Sequence, residues 1–315
     1  MKSFKSLFAL VVIAGFVLSA CQKDFVIEEE PDPVNPPAGD SIYIDQVIEL
    51  DSIGPAQFDT AYITRYQYDA SKRVISMKQY SDDGGGVALM DEYLYSYNGS
   101  DTLPAKTTDH AYYGSGTFDK DTTITHYFYA NGKLIKDSAV SYNTVVNNGV
   151  LISAPTDTTV VTYSYPPLQV SAFTFYKAGN RLGNGNTQEY IQKDTSTLDS
   201  RGNIISSKRY DTDDNGVTWD IHNASVFTYD TNPSPFSRIS NFSTLFVVAP
   251  PEIFYFEMQT PNNRTSYRYD YGFGNFEDGD YTGYIYRPDG LPLYVRVGDP
   301  GMAADRIIKF LYKAL

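Results

Sequence analysis

The sequence predicts an all-β fold, an antiparallel meander of tandem hairpin repeats with about 14–16 strands and a sheet curled or folded back on itself. Three observations predict it. Aromatic residues recur as pairs two apart, at Tyr66/Tyr68, Tyr95/Tyr97, Tyr127/Tyr129, Tyr163/Tyr165, Phe227/Tyr229, Tyr267/Tyr269 and Tyr284/Tyr286. A period of two places both members of a pair on one face of a strand. Turn formers follow most pairs, as in Asn98-Gly99-Ser100, Ala130-Asn131-Gly132 and Asp230-Thr231-Asn232-Pro233. The second members fall at 68, 97, 129, 165, 229 and 269, with Leu198 in the slot between 165 and 229, a repeat of roughly 30 residues.

The first element in the chain is not part of that sheet. Met1-Lys2-Ser3-Phe4-Lys5 carries two positive charges, and Leu7 to Val17 is almost wholly apolar. A charged start, a short apolar core and small residues before a cut describe a secretory signal over 1–20. The apolar core is short of the ~20 residues that span a bilayer as a helix. Cys21 is the only cysteine, so no disulfide can brace the fold. The run Leu18-Ser19-Ala20-Cys21 resembles the lipobox of bacterial lipoproteins. That resemblance implies cleavage before Cys21, acylation of its thiol and of the new amino terminus, and a membrane partner held through covalent lipid. Several acyl chains anchor a protein lastingly, where one chain is marginal.

Residues 21–40 read as a lipidated tether. Glu28-Glu29-Glu30 and Pro31, Pro33, Pro36 and Pro37 keep such a segment extended. Gln22 follows the cysteine where lipoproteins kept at the inner membrane often have Asp, which favours the outer membrane; the periplasmic or surface face stays open. The β-repeat domain is expected over 41–315. Its composition is acidic, with 25 Lys+Arg against 38 Asp+Glu and a net charge of −13, which argues against a nucleic-acid partner. The 28 tyrosines suit half-buried pleated surfaces.

Within the repeats, Tyr66-Gln67-Tyr68-Asp69 followed by Arg73-Val74, and Tyr127-Phe128-Tyr129 followed by Asn131-Gly132-Lys133-Leu134, are similar to tyrosine-aspartate (Rhs-type) repeats. Leu198-Asp199 with Gly202-Asn203 keeps the turn and has lost the aromatic. The resemblance is degenerate; it implies an architecture and a cell-envelope setting, and no activity. A membrane-spanning barrel is disfavoured, because positions opposite the tyrosines include Arg65, Gln67, Thr162, Ser164 and Arg268, where a lipid-facing band should be apolar.

Candidate chemistry is sparse. Asp211, Asp213 and Asn215, followed by Gly216, match the first half of a Ca²⁺ loop, but the position of the bidentate Glu is His222. A solvated hairpin tip is the plainer reading, and the loop after Ser81 has the same character. His110, His126 and His222 have no metal-ligand spacing. No nucleophile, zinc-protease or phosphate-loop motif occurs, and no cofactor is expected. Trp219, the only tryptophan, with Tyr210 nearby, is the candidate aromatic platform for a ligand. The expected function is a lipid-anchored envelope protein, a non-enzymatic structural or interaction module with an envelope-protein partner. The alternatives are a glycan-binding surface using exposed Tyr or Trp, and an envelope hydrolase with unidentified carboxylates.

Overall fold

The computed structural model describes residues 42–54, 57–82, 86–112, 120–147, 150–178, 189–239, 260–272, 274–302 and 305–315. The signal, Cys21 and the tether lie outside the described residues. Alternating apolar and polar residues form sixteen strands. The first eight are β1 (Ile42–Gly54), β2 (Gln57–Tyr68), β3 (Val74–Asp82), β4 (Val87–Tyr97), β5 (Pro104–Tyr112), β6 (Lys120–Ala130), β7 (Lys133–Asn147) and β8 (Val150–Ser164). The second eight are β9 (Gln169–Ala178), β10 (Glu189–Leu198), β11 (Ile204–Asp211), β12 (Asp220–Pro233), β13 (Asn262–Asp270), β14 (Phe276–Tyr286), β15 (Pro292–Gly298) and β16 (Arg306–Ala314).

Each strand pairs antiparallel with its sequence neighbours, and β1 pairs with β16 from Ile42↔Ala314 to Asp51↔Arg306, so the meander closes into a barrel. The expected all-β antiparallel meander is borne out, and the curled or folded-back sheet only in part, because the sheet curls until its first and last strands pair. Closure removes both exposed strand edges, which an open meander would leave unpaired.

The two ends of the barrel differ. At one, the turn end, the hairpins are tight except for the long connection from β12 to β13. In the turn after β2, Asp69 N–H donates to Arg73 O and Lys72 N–H to Asp69 O; after β10, Asp199 and Asn203 repeat the arrangement. The Asp69 carboxylate accepts from the Ser71 and Arg73 amides, as Asp199 does from those of Arg201 and Asn203. The fourth position of this turn has positive φ. Gly202 (92°) takes it at little cost, and Lys72 (63°) takes it with strain.

A bulge sits where the second aromatic of a pair meets the outgoing strand, at Tyr68/Val74, Tyr97/Pro104, Tyr129/Leu134, Leu198/Ile204 and Tyr229/Arg264. The carbonyls there are capped in series by tyrosine hydroxyls of later hairpins. Tyr97 donates to Val74 O, Tyr129 to Pro104 O, Tyr165 to Leu134 O, Tyr229 to Ile204 O and Tyr284 to Arg264 O, all within 2.6–2.9 Å. Tyr68 to Ile44 O and Tyr312 to Pro292 O, both 2.7 Å, bring the pattern up to the closing seam from either side. The recurring tyrosine is thus a latch between successive hairpins. At the degenerate slot, Leu198 has no hydroxyl, and its backbone N–H bonds Leu168 O instead. Tyr269 breaks the inferred series: it packs edge-on to Phe227 at 5.9 Å in the core, while Tyr284 and Tyr312 hold the last two latch positions.

The core lies inside the barrel toward the turn end. Ile44, Val47, Tyr66, Met77, Tyr95, Phe227, Tyr267, Tyr281, Val295 and Phe310 are buried there, with Phe236 and Ile239 from the segment after β12 closing the end. Gly279 belongs to this packing, because a Cβ there would come within 2.1 Å of the Tyr267 ring that lies across it.

Candidate functional site

Directly opposed residues in antiparallel strands share a face, so lateral register assigns each side chain to the inside or the outside. One inner row runs Tyr66, Met77, Tyr93, Asp109, Thr123, Ser141, Asp157. The adjacent row carries Gln79, Asp91, Ala111, Asp121 and Asn143. A third joins Tyr163, Ala172, Asp194, Arg209 and Asn223. Asp137 faces inward opposite Tyr127 and accepts from the Tyr163 hydroxyl at 2.5 Å. The inner wall from β4 to β10 is therefore lined with aspartates.

Burial along the inner positions follows a gradient. On β5, Thr107 is buried, and Asp109 and Ala111, nearer the other end, are partly exposed; on β10, Ser196 and Asp194 are buried, Gln192 is partly exposed and Tyr190 is open. Among the described residues the inner face is buried at the turn end and more exposed toward the loop end, the mouth of a cup.

The electrostatics of the wall are one-sided. Arg209 Nε meets Asp194 Oδ1 at 3.3 Å, and Asn143 Nδ2 donates to Asp121 Oδ1 at 2.6 Å. No cation pairs with Asp91, Asp109 or Asp137 among the described residues. Burial, reinforced by the neighbouring Asp91 charge, lifts the Asp109 carboxyl to about 7. Burial lifts Asp137 to about 6 against the Tyr163 hydrogen bond, and burial also raises Asp91. Asp194 is raised by burial despite its arginine. Carboxylates held this way oppose folding when ionised, and such uncompensated groups mark functional sites more than structural ones.

The outer wall is mixed, with charged and polar rows among exposed apolar side chains such as Leu94, Phe128, Phe173, Phe175 and Val226. One outer row reads Gln46, Arg65, Lys78, Glu92, His110, Thr122. Lys78 pairs with Glu92 at 2.9 Å, and Arg268 grips Asp278 through two contacts of 2.6 and 2.7 Å. A second outer row alternates aromatics with lysines: Phe128, Lys136, Thr162, Phe173, Lys193, Tyr210. Lys136 lies over Phe128 and Lys193 over Tyr210, 5.6 and 5.5 Å from the ring centres.

Two comparisons return nothing: no family model and no curated protein matches the sequence. Among solved structures, the chain is similar to a porin-like protein from Bacteroides vulgatus at 12% identity and a TM-score of 0.48, covering 87% of this chain and 100% of that one. A porin-like protein from Bacteroides uniformis matches at 12% identity and 0.34, covering 86% and 98%. A protein of unknown function from Bacteroides fragilis matches at 13% and 0.26, covering 52% and 91%.

The residues singled out from sequence lie away from the cup. Trp219 folds with its loop onto the outer wall, edge-on to Phe173 at 6.1 Å, and Gly216 comes so close to Ile191 that a Cβ would sit 3.0 Å from its Cδ1. Tyr210 is on the same outer wall. Asp211 pairs with His222 Nδ1 at 2.8 Å, and Asn215 takes a left-handed turn conformation. The carboxylate that organises this loop is Asp214, which accepts from the Val217 and Thr218 amides and from the Thr212 and Thr218 hydroxyls; these bonds hold it down at about 2. Asp213 takes no part in that network, and no group of three His, Cys, Asp or Glu side chains able to hold a metal occurs among the described residues. The inner aspartates had one legible signal: Asp91, Asp109, Asp121, Asp137, Asp157 and Asp194 each fall within a β-rich segment, where a charge is unexpected unless it faces water or a ligand.

Proposed function

We propose that this chain is a lipid-anchored cell-envelope protein, attached to the outer membrane through Cys21, whose barrel stands in water and works as a non-enzymatic binding and interaction module. The observation that carries the second part is the polarity of the barrel. A membrane-spanning barrel is apolar outside and polar within; here charged rows run over the outside among scattered exposed apolar side chains, and a buried apolar cluster fills the inside at the turn end. Removing Arg65, Lys78, Glu92 and Arg268 from water into hydrocarbon would cost several kcal/mol in sum. The anchor rests on the signal segment and on the lone cysteine after Leu18-Ser19-Ala20.

The test separates the two parts. Cys21→Ser is expected to move the protein from the membrane pellet to the soluble fraction, where it stays folded without detergent. A variant that remains in the pellet, or that needs detergent to stay in solution, overturns the reading. A second use of the outer wall is favoured by Trp219, Phe173 and Tyr210, which place aromatic faces beside Lys193. That arrangement fits a glycan surface, and glycan-array binding lost in Trp219→Ala is its measure.

A further inference from the structure

We infer that the aspartate wall inside the barrel is a binding site for an extended organic cation of the oligoamine class. The inference deepens the reading above, since it needs the mouth of the cup to face water.

Placement is the first argument. Asp91, Asp109, Asp137 and Asp157 project from β4, β5, β7 and β8 onto one inner surface, and the cation of this wall, Arg209, is engaged at its edge by Asp194. Among the described residues no basic group pairs with these carboxylates; burial disfavours ionised Asp109, Asp137 and Asp91, and the Asp91 charge adds to the effect at Asp109, so the free wall is higher in energy than its neutral counterpart. A ligand bearing positive charge relieves both effects.

Unfilled hydrogen-bonding capacity is the second and independent argument. Gln79, 6% exposed and directly opposite Asp91, has a buried Nε2 with no partner. Asn223, 5% exposed and opposite Arg209, has an unpartnered Oδ1, and Ser225, 2% exposed and next along the inner face, an unpartnered Oγ. Asp109 Oδ1 and Asp157 Oδ1 are likewise buried without a donor. Native proteins rarely leave such groups unmet unless water or a ligand meets them. Of these five atoms, Asn223 Oδ1, Asp109 Oδ1 and Asp157 Oδ1 are acceptors, so a ligand that meets them brings hydrogen-bond donors.

Spacing identifies the class. Among the described residues no three carboxylates converge tightly enough for a metal ion. Asp109 on β5 and Asp157 on β8 are three strands apart, roughly 14 Å at the usual strand separation. That separation suits several amines joined by short methylene runs, and excludes a single compact ion. The stacked Tyr176 and Tyr190 rings, 4.5 Å apart near the mouth, add cation-attracting faces.

The probes are spermine, calcium chloride and an uncharged maltooligosaccharide, each titrated by calorimetry into the full lipidated chain in neutral detergent at low salt. Spermine is expected to bind saturably, one per chain, and at least tenfold more weakly to the double variant Asp109→Asn/Asp157→Asn. Thr123→Arg sets a built-in cation on the row between the two aspartates and is expected to abolish binding independently. Asp101→Asn, an exposed change at the turn end, is expected to leave binding intact. Retained melting points show that the variants are folded. Absence of saturable spermine binding overturns the inference. So does equal binding by the double variant and Thr123→Arg, equally tight calcium binding, or binding of the neutral sugar alone. Failure here, with Cys21→Ser released and soluble as expected, removes this inference and leaves the proposed function standing.

Discussion

Replacing Tyr97 by Phe isolates one latch. The hydroxyl donates to Val74 O at 2.6 Å, and Val74 is 1% exposed, so no bulk water stands ready to replace the lost donor. The ring stays, and with it the Arg73 guanidinium 4.4 Å above its centre, so packing is conserved. A buried acceptor stripped of its partner costs about 1–2 kcal/mol. For a chain of this size that is a fall in Tm of about 3–5 °C. Tyr97, Tyr165 and Tyr229 lie at or near the turn ends of β4, β8 and β12, far enough apart for their effects to add, so the triple Phe variant should lose about 3–6 kcal/mol. Urea unfolding of the Cys21→Ser protein, followed by circular dichroism, measures this against Tyr210→Phe, whose ring lies on the outer wall and whose loss should stay within about 0.5 kcal/mol. The latch argument fails if Tyr97→Phe unfolds at the wild-type midpoint, or if Tyr210→Phe is as destabilised as Tyr97→Phe.

Three further outcomes follow from other parts of the barrel. Asp109 faces Tyr93 and Thr123 across the strands and Asp91 on the diagonal, and its folded pKa of about 7 lies above the ordinary value of 3.8. Wild-type stability should therefore rise as pH falls through 7, and Asp109→Asn should be more stable than wild type at pH 8 by on the order of 1–3 kcal/mol, a gap that fades toward about pH 4; urea midpoints at pH 8 and pH 4 check it. Gly279→Ala drives a methyl into the Tyr267 ring and should cost about 2 kcal/mol or more, read as a lowered melting temperature. Lys72→Gly relieves the left-handed strain at 63° in the first tight turn and should raise stability by about 0.5–1 kcal/mol in the same assay.

Local chemistry alone carried much of the fold. A strand's period of two is a property of neighbouring residues, so Tyr66/Tyr68 and its counterparts announced strands and a shared face wherever they occurred. The tight turns were equally legible, because a carboxylate at Asp69 or Asp199 bonds amides only two and four residues on. The polar positions alternating with the tyrosines, at Arg65 and Arg268, were legible in the same way, and register places both on the outside. Tertiary structure decided what depends on distant partners. Closure rests on pairing Ile42 with Ala314 across almost the whole chain, and no local pattern distinguishes that from a folded-back sheet. The candidate site depends on register: a shift of one residue turns every side chain to the opposite face, and bulges impose such shifts at the turn end of most hairpins. Asp91, Asp109, Asp137 and Asp157 therefore became one surface only when those bulges and the lateral pairing were fixed. Trp219 was placed outside, against Phe173, by the same pairing, which no spacing in the sequence encodes.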